Sequence, residues 1–166
     1  MRKFVVCFFS LLLALPLSAA TAFKLEGHQL VLPGPIVFKA GSAELDEAAS
    51  KDALKHIQDY LTEKTYITTL RIEGHASQAG NEEANQKLSE ARALTVARWL
   101  AKQGVDCQRL LAVGFGSTKP VADGSTPAGK AQNTRITIAN AAMRGRAIGG
   151  LPVDGGGKLA GEICPK

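Results

Sequence analysis

The segment EGHASQAGNEEANQKLSEARA, residues 73–93, concentrates the side chains whose types and spacing could do chemistry. His75 and Ser77 lie in a turn bounded by Gly74 and Gly80, and Asn85, Ser89 and Arg92 follow at intervals that share one face of a helix. At about 100° per residue that stripe runs on to Val96, with Leu88 and Trp99 along its edge. Its apolar C-terminal half is expected to face a core, and its polar half the mouth of the fold. A guanidinium placed there offers a planar fork for a carboxylate or a phosphate. The competing reading pairs Arg92 with a protein carboxylate, Glu73 or Glu82, and gives it only the work of tying helix to sheet. A lone histidine after a strand is more often hydrogen-bonded than a ligand or base, and His28 and His56, read as surface residues, make no metal spacing with His75. The chain carries no Gly-x-Ser-x-Gly elbow, no His-Glu-x-x-His and no phosphate-cradling glycine loop. No catalytic residue, metal site or cofactor is therefore expected.

These side chains need elements to hold them. Residues 35–41, PIVFKAG, are β-branched and aromatic between Pro and Gly and predict a strand. The next stretch changes period: Ala49, Ala53, Ile57 and Leu61 recur every four residues beside Leu54, with Glu47, Lys51, Lys55 and Asp59 outside the stripe, so an amphipathic helix follows. ITTLRIEGHA alternates, Leu70 and Ile72 against Arg71 and Glu73, and predicts a second strand ending at Gly74. A second helix over residues 81–103 has Glu82 and Glu83 in its first turn, Lys102 in its last and Gly104 just beyond. LLAVGFGS predicts a third strand, residues 118–133 a loop, and RITIAN a fourth strand. The order β-α-β-α-β-loop-β implies an α/β sandwich, helices packed on one mixed sheet, with parallel neighbours at the first two crossovers. Residues 141–166 are glycine-rich without a periodic apolar face and are expected to be irregular, and residues 23–33 form a short leading segment.

The chain of 166 residues suits one domain with a modest core. Its first residues, MRKFVVCFFSLLLALPLSAATA, place Arg2 and Lys3 before an apolar run and close on small residues, which reads as a secretory signal peptide cleaved after Ala22. Cys7 lies inside the apolar run and not at the cleavage point, so a lipid anchor is not expected, and no later segment is apolar enough to span a bilayer. Cleavage removes two of the 20 basic residues and none of the 15 acidic ones, lowering the net charge from +5 to +3. The remaining charges are scattered and aromatics make up 5%, which argues against a nucleic-acid surface. Two cysteines remain, Cys107 and Cys164, in a chain bound for an oxidising compartment, and a disulfide between them is expected.

Taken in order, Gly74, His75, Gly80, Asn85, Leu88, Ser89, Arg92 and Ala93 resemble the signature of the OmpA-like C-terminal domain, a peptidoglycan-binding module of bacterial envelopes. IVFKAGSAELDEAA resembles that family's first strand and helix start. Gly104, Val105, Leu110, Gly114, Gly116, Pro120, Gly129 and Asn133 stay in step, so the resemblance spans residues 34–140. It implies a βαβαβ-type sandwich whose pocket grips diaminopimelate in the peptidoglycan stem peptide, an aspartate in the turn and an arginine on the helix holding its charged groups. The arginine position is Arg92 and a helper asparagine is Asn85; His75, Asn133 and Arg135 fall on the remaining motif positions. The aspartate position is Ser77, and where the family commonly has Asn-Arg-Arg this chain has Asn133, Thr134 and Arg135. Glu82 or Glu83 is the candidate substitute for the missing negative charge.

These resemblances imply a non-catalytic module exported to the periplasm and associated with cell wall or outer membrane, binding stem peptide with reduced strength. The alternative is an OmpA-like domain that has lost the wall ligand and serves as an interaction module for an envelope protein.

Overall fold

The computed structural model describes residues 22–150 and 154–164; the expected signal peptide and Cys7 lie outside the described residues, apart from Ala22. Strands β1 (Leu25–Glu26), β2 (Gln29–Leu30), β3 (Ile67–His75), β4 (Leu110–Gly114), β5 (Arg135–Met143), β6 (Arg146–Ala147) and β7 (Lys158–Leu159) form one sheet, with β6 beside β5. The rest of its order is β1-β2-β5-β3-β4-β7. Helices α1 (Glu47–Glu63), α2 (Glu82–Lys102) and the short α3 (Pro127–Asn133) complete the chain. The central strand β3 is parallel to β4 and antiparallel to β5, so the sheet is mixed. No described helix is long and apolar enough to cross a membrane.

Local chemistry sets the helix ends. Asp46 caps α1 by accepting from the Ala49 amide, and Asn81 caps α2 by accepting from that of Ala84. After α2 the chain turns at Gly104, whose φ of 91° lies in the left-handed region that favours glycine. Of the stripes read from the sequence, Ala49 of α1 is exposed and Asn85, Leu88, Arg92 and Trp99 of α2 are only half-buried; the buried apolar faces are Ala53, Leu54, Ile57 and Leu61 of α1 and Ala93, Val96, Ala97 and Leu100 of α2. They close over the sheet face carrying Leu70, Ile72, Leu110, Ala112 and Ile138. Each leucine, isoleucine or valine among them gains roughly 1.5–3 kcal/mol on leaving water.

Two glycines set how closely α2 lies on the sheet. A Cβ on Gly74 would stand 2.1 Å from the Ser89 carbonyl oxygen, and one on Gly114 would stand 2.5 Å from the Glu90 nitrogen. The helix touches the sheet backbone there, which fixes the position of Arg92 one turn further on. Ser89 completes the joint: its hydroxyl donates to the Gln86 carbonyl and accepts from the Gly116 amide.

Several sequence expectations need correction. Residues 35–41 make no strand; they contribute only the isolated bridge Phe38–Leu45. The reason is local satisfaction of the backbone: the Val37 amide donates to the Ser50 hydroxyl, and its carbonyl accepts from the Asp46 amide. With no strand there, only the β3-α2-β4 crossover joins parallel neighbours. The leading segment supplies the β1–β2 hairpin, and β2 pairs with β5. Thr126 caps α3 within the expected loop, accepting from the Gly129 amide. The glycine-rich tail pairs β7 with β4, and its Cys164 is bonded to Cys107 with Cα atoms 5.3 Å apart. His56 is not a surface residue but half-buried against Phe23, ring centroids 4.9 Å apart.

Candidate functional site

Arg92 leaves the middle of α2 half-buried and is held from two sides. Its Nε donates to the Ser42 carbonyl at 2.9 Å, and its guanidinium carbon stands 5.1 Å from the centroid of the Phe38 ring. Burial lowers its pKa from the ordinary value, yet a guanidinium keeps its charge. Neither Glu73 nor Glu82 pairs with it, and it has no ion pair among the described residues. Its terminal nitrogens make no hydrogen bond to the described residues, and the side chain lines a cavity of about 200 Å³ with Ile36, Val37, Phe38, Thr134 and Arg135. A half-desolvated, oriented cation with no protein counter-charge favours an anion in that cavity.

The other expected site residues divide by what they hold. Asn85 donates to the carbonyls of Ser77 and Ala79 at 3.1 and 2.9 Å, so it shapes the turn beside the helix. Ser77 is partly exposed in that turn and does not line the Arg92 cavity. Asn133 is fully buried; its side chain accepts from the Val121 and Ala122 amides and donates to the Ala122 carbonyl, pinning the loop before α3. Arg135 lines the cavity, but its guanidinium donates to the carbonyls of Asn133 and Lys119. Its register partner is His75, which places both side chains on the sheet face away from α2. Glu82 accepts from the Ser117 amide and hydroxyl, Glu83 pairs with Lys87, and neither carboxylate lines the Arg92 cavity.

His75 belongs to a buried network on the far face. Its Nε2 lies 3.1 Å from the Thr137 hydroxyl, which in turn donates to Glu73 at 3.0 Å, so Nε2 carries the proton. Arg71 donates to the other Glu73 oxygen at 2.6 Å, and the His75 ring stacks on Phe115 at 5.3 Å. Burial pushes the Glu73 carboxyl up, but His75, the Arg71 charge and Thr137 outweigh it and hold the pKa at about 2. Burial lowers that of His75, against the pull of Glu73, which favours the neutral ring. None of Arg71, Glu73, His75 and Thr137 lines the Arg92 cavity, although Thr137 lines a larger cavity beside it.

Two contributors to the site, Phe38 and Ser42, were not singled out in the sequence. They approach Arg92 from about 50 residues upstream, and no periodicity or spacing links such positions.

The OmpA family's sequence profile matches residues 37–134. The chain belongs to the OmpA family. Over 115 residues it is 36% identical to the probable lipoprotein YiaD of Escherichia coli K12, covering 68% of this chain and 52% of YiaD. Over 123 residues it is 33% identical to the peptidoglycan-binding protein ArfA of Mycobacterium tuberculosis H37Rv, covering 74% of this chain and 37% of ArfA. The crystal structure of the peptidoglycan-associated lipoprotein from Burkholderia pseudomallei superposes with a TM-score of 0.55 at 29% identity, covering 64% of this chain and 86% of that one. Its α/β architecture is the one described above. This OmpA-family chain spans about half the length or less of the curated relatives named here.

Proposed function

We propose that this OmpA-family chain is a non-catalytic envelope module that associates with the cell wall by binding peptidoglycan stem peptide, a diaminopimelate carboxylate resting on Arg92. The observation that carries the reading is the Arg92 guanidinium, fixed by Ser42 and Phe38 beside a cavity and without a protein carboxylate. Kinship with a peptidoglycan-binding protein and a peptidoglycan-associated lipoprotein supports the ligand class and a periplasmic location. The grip is one-ended. Ser77 stands where the family carries an aspartate for the ligand's ammonium, and losing an ionised partner costs about 1.5–3 kcal/mol, or one to two decades of affinity.

Calorimetric titration with a diaminopimelate-containing stem peptide tests this. Binding is expected to weaken with salt, to vanish in Arg92→Ala and to strengthen about tenfold or more in Ser77→Asp. The substitutions at Ser77 and Thr134 favour one rival, a domain whose wall site has been surrendered to a protein partner. No binding to the natural chain together with recovery in Ser77→Asp decides for that rival.

A further inference from the structure

The Arg92 cavity adjoins a larger one of about 380 Å³, and Ile36, Thr134 and Arg135 line both. The larger cavity follows the outer edge of β5. Strand β5 starts at Arg135, but its pairing with β2 stops at Leu30–Ile138, so residues 135–137 have β3 on one side and no strand on the other among the described residues. Backbone groups in an antiparallel strand alternate in direction. The Asn140 amide points outward and donates to the His28 carbonyl at 2.8 Å. By that alternation Ile136, four residues earlier, also turns its N–H and C=O outward, into the cavity, where no described backbone group meets them. The opposite wall includes Pro35 in the run LPGP, whose prolines at 33 and 35 carry no N–H with which to close the edge.

We infer that the stem peptide, anchored by its carboxylate on Arg92, continues in extended form along this groove and pairs its backbone with Ile136. The inference rests on the proposed wall-binding function. An exposed strand edge binds extended peptide through main-chain hydrogen bonds, with side pockets supplying selectivity. Here the open edge is one bridge long, apolar at Leu32 and Ile36 and polar at Gln132 and Thr134, and it begins at a fixed cation. That combination suits a short peptide led by a carboxylate, whereas a folded partner's strand would need several successive open residues.

The test compares three probes by calorimetry on the natural chain and on Gln132→Trp, which places an indole in the groove from an exposed position outside the Arg92 cavity. The probes are free meso-diaminopimelate, the stem tetrapeptide L-Ala-γ-D-Glu-meso-diaminopimelate-D-Ala, and an all-L alanine tetrapeptide. The stem tetrapeptide is expected to bind about tenfold tighter than diaminopimelate, the worth of one or two net backbone hydrogen bonds. Gln132→Trp should erase that advantage and leave diaminopimelate binding unchanged, which also shows that the variant is folded. Equal affinity of the natural chain for the two wall probes, or an advantage that survives Gln132→Trp, overturns the groove and leaves the Arg92 reading standing. Absence of binding by either wall probe overturns both. Alanine tetrapeptide binding as tightly as the stem peptide overturns the assignment and gives the groove to a protein tail.

Discussion

At the scale of single residues, the chain separates a cation without a protein counter-charge among the described residues from one paired with a buried carboxylate. Arg71 of β3 faces Glu73 while Arg92 of α2 faces a cavity, and that difference makes Arg92 the candidate for binding. The Arg71–Glu73–His75–Thr137 network makes stability depend on pH in a direction fixed by two shifts. The Glu73 carboxyl is held at about 2 in the folded chain against 4.5 ordinarily, so its contribution, about 3 kcal/mol, is present above 4.5 and is lost as pH falls from there toward 2. His75 is held below its ordinary 6.5, so the unfolded chain takes up that proton first, and stability also declines as pH falls below 6.5. The urea midpoint should therefore drop between pH 7 and 3, and Glu73→Gln should both lower it at pH 7 and flatten the acid limb; a midpoint constant over that range would refute the assignment. The candidate anion site was legible as far as Arg92, because helical periodicity points its side chain toward the mouth. The engaged state of Arg135, Asn133 and Glu82 was not, because hydrogen bonds to distant loop carbonyls and amides leave no trace in spacing.

At the scale of elements, packing of α2 on β3 and β4 is the feature that delivers Arg92 to its cavity. Gly74 and Gly114 were visible in the sequence as motif positions; the contact with Ser89 and Glu90 supplies their physical reason, since any side chain there meets helix backbone. Gly74→Ala forces a shift of α2 or of the strand, because the atom in the way is a carbonyl oxygen and not the end of a flexible side chain. A cost of about 1–3 kcal/mol is expected, with weaker stem-peptide binding as Arg92 moves. Gly34→Ala, which meets nothing within 4 Å, should change the unfolding free energy by about 0.5 kcal/mol or less. Equal effects of the two substitutions would show that the close approach is not what positions the helix. The helices and β3, β4 and β5 could be read from the sequence because their periods and caps are local. The strand expected at residues 35–41 failed because Val37 spends its backbone groups on Ser50 and Asp46 at the start of α1, a choice composition does not show. Strands β1, β2, β6 and β7 are two residues long and exist only by pairing across the sheet, too short for any periodicity to register.

At the scale of the whole molecule, the Arg92 cavity lies beside the middle of α2 and the covalent tie beyond its C-terminus. Arg92 is the central residue of the helix, whereas Arg98, nearer the C-terminus, donates to the Glu162 carbonyl at 2.8 Å, two residues before the disulfide-bonded Cys164. The tail between is drawn onto the sheet by the Ala160 amide, which donates to the Ala112 carbonyl, and by burial of Ala160 in the core. Cross-linking residues separated by 57 positions removes denatured-state entropy worth about 4 kcal/mol in the chain-entropy model. Reduction, or the pair Cys107→Ser and Cys164→Ser, should therefore lower the guanidinium midpoint while leaving stem-peptide affinity within about twofold at temperatures where the chain stays folded. That split separates two roles for the tail. If affinity falls with the disulfide, the tail reaches the ligand or holds β4 and α2 in register for it, and the site extends the length of the helix. If only the midpoint falls, the tail is a clamp on the far end of the sheet, and Arg92 with its adjoining groove acts as an independent unit.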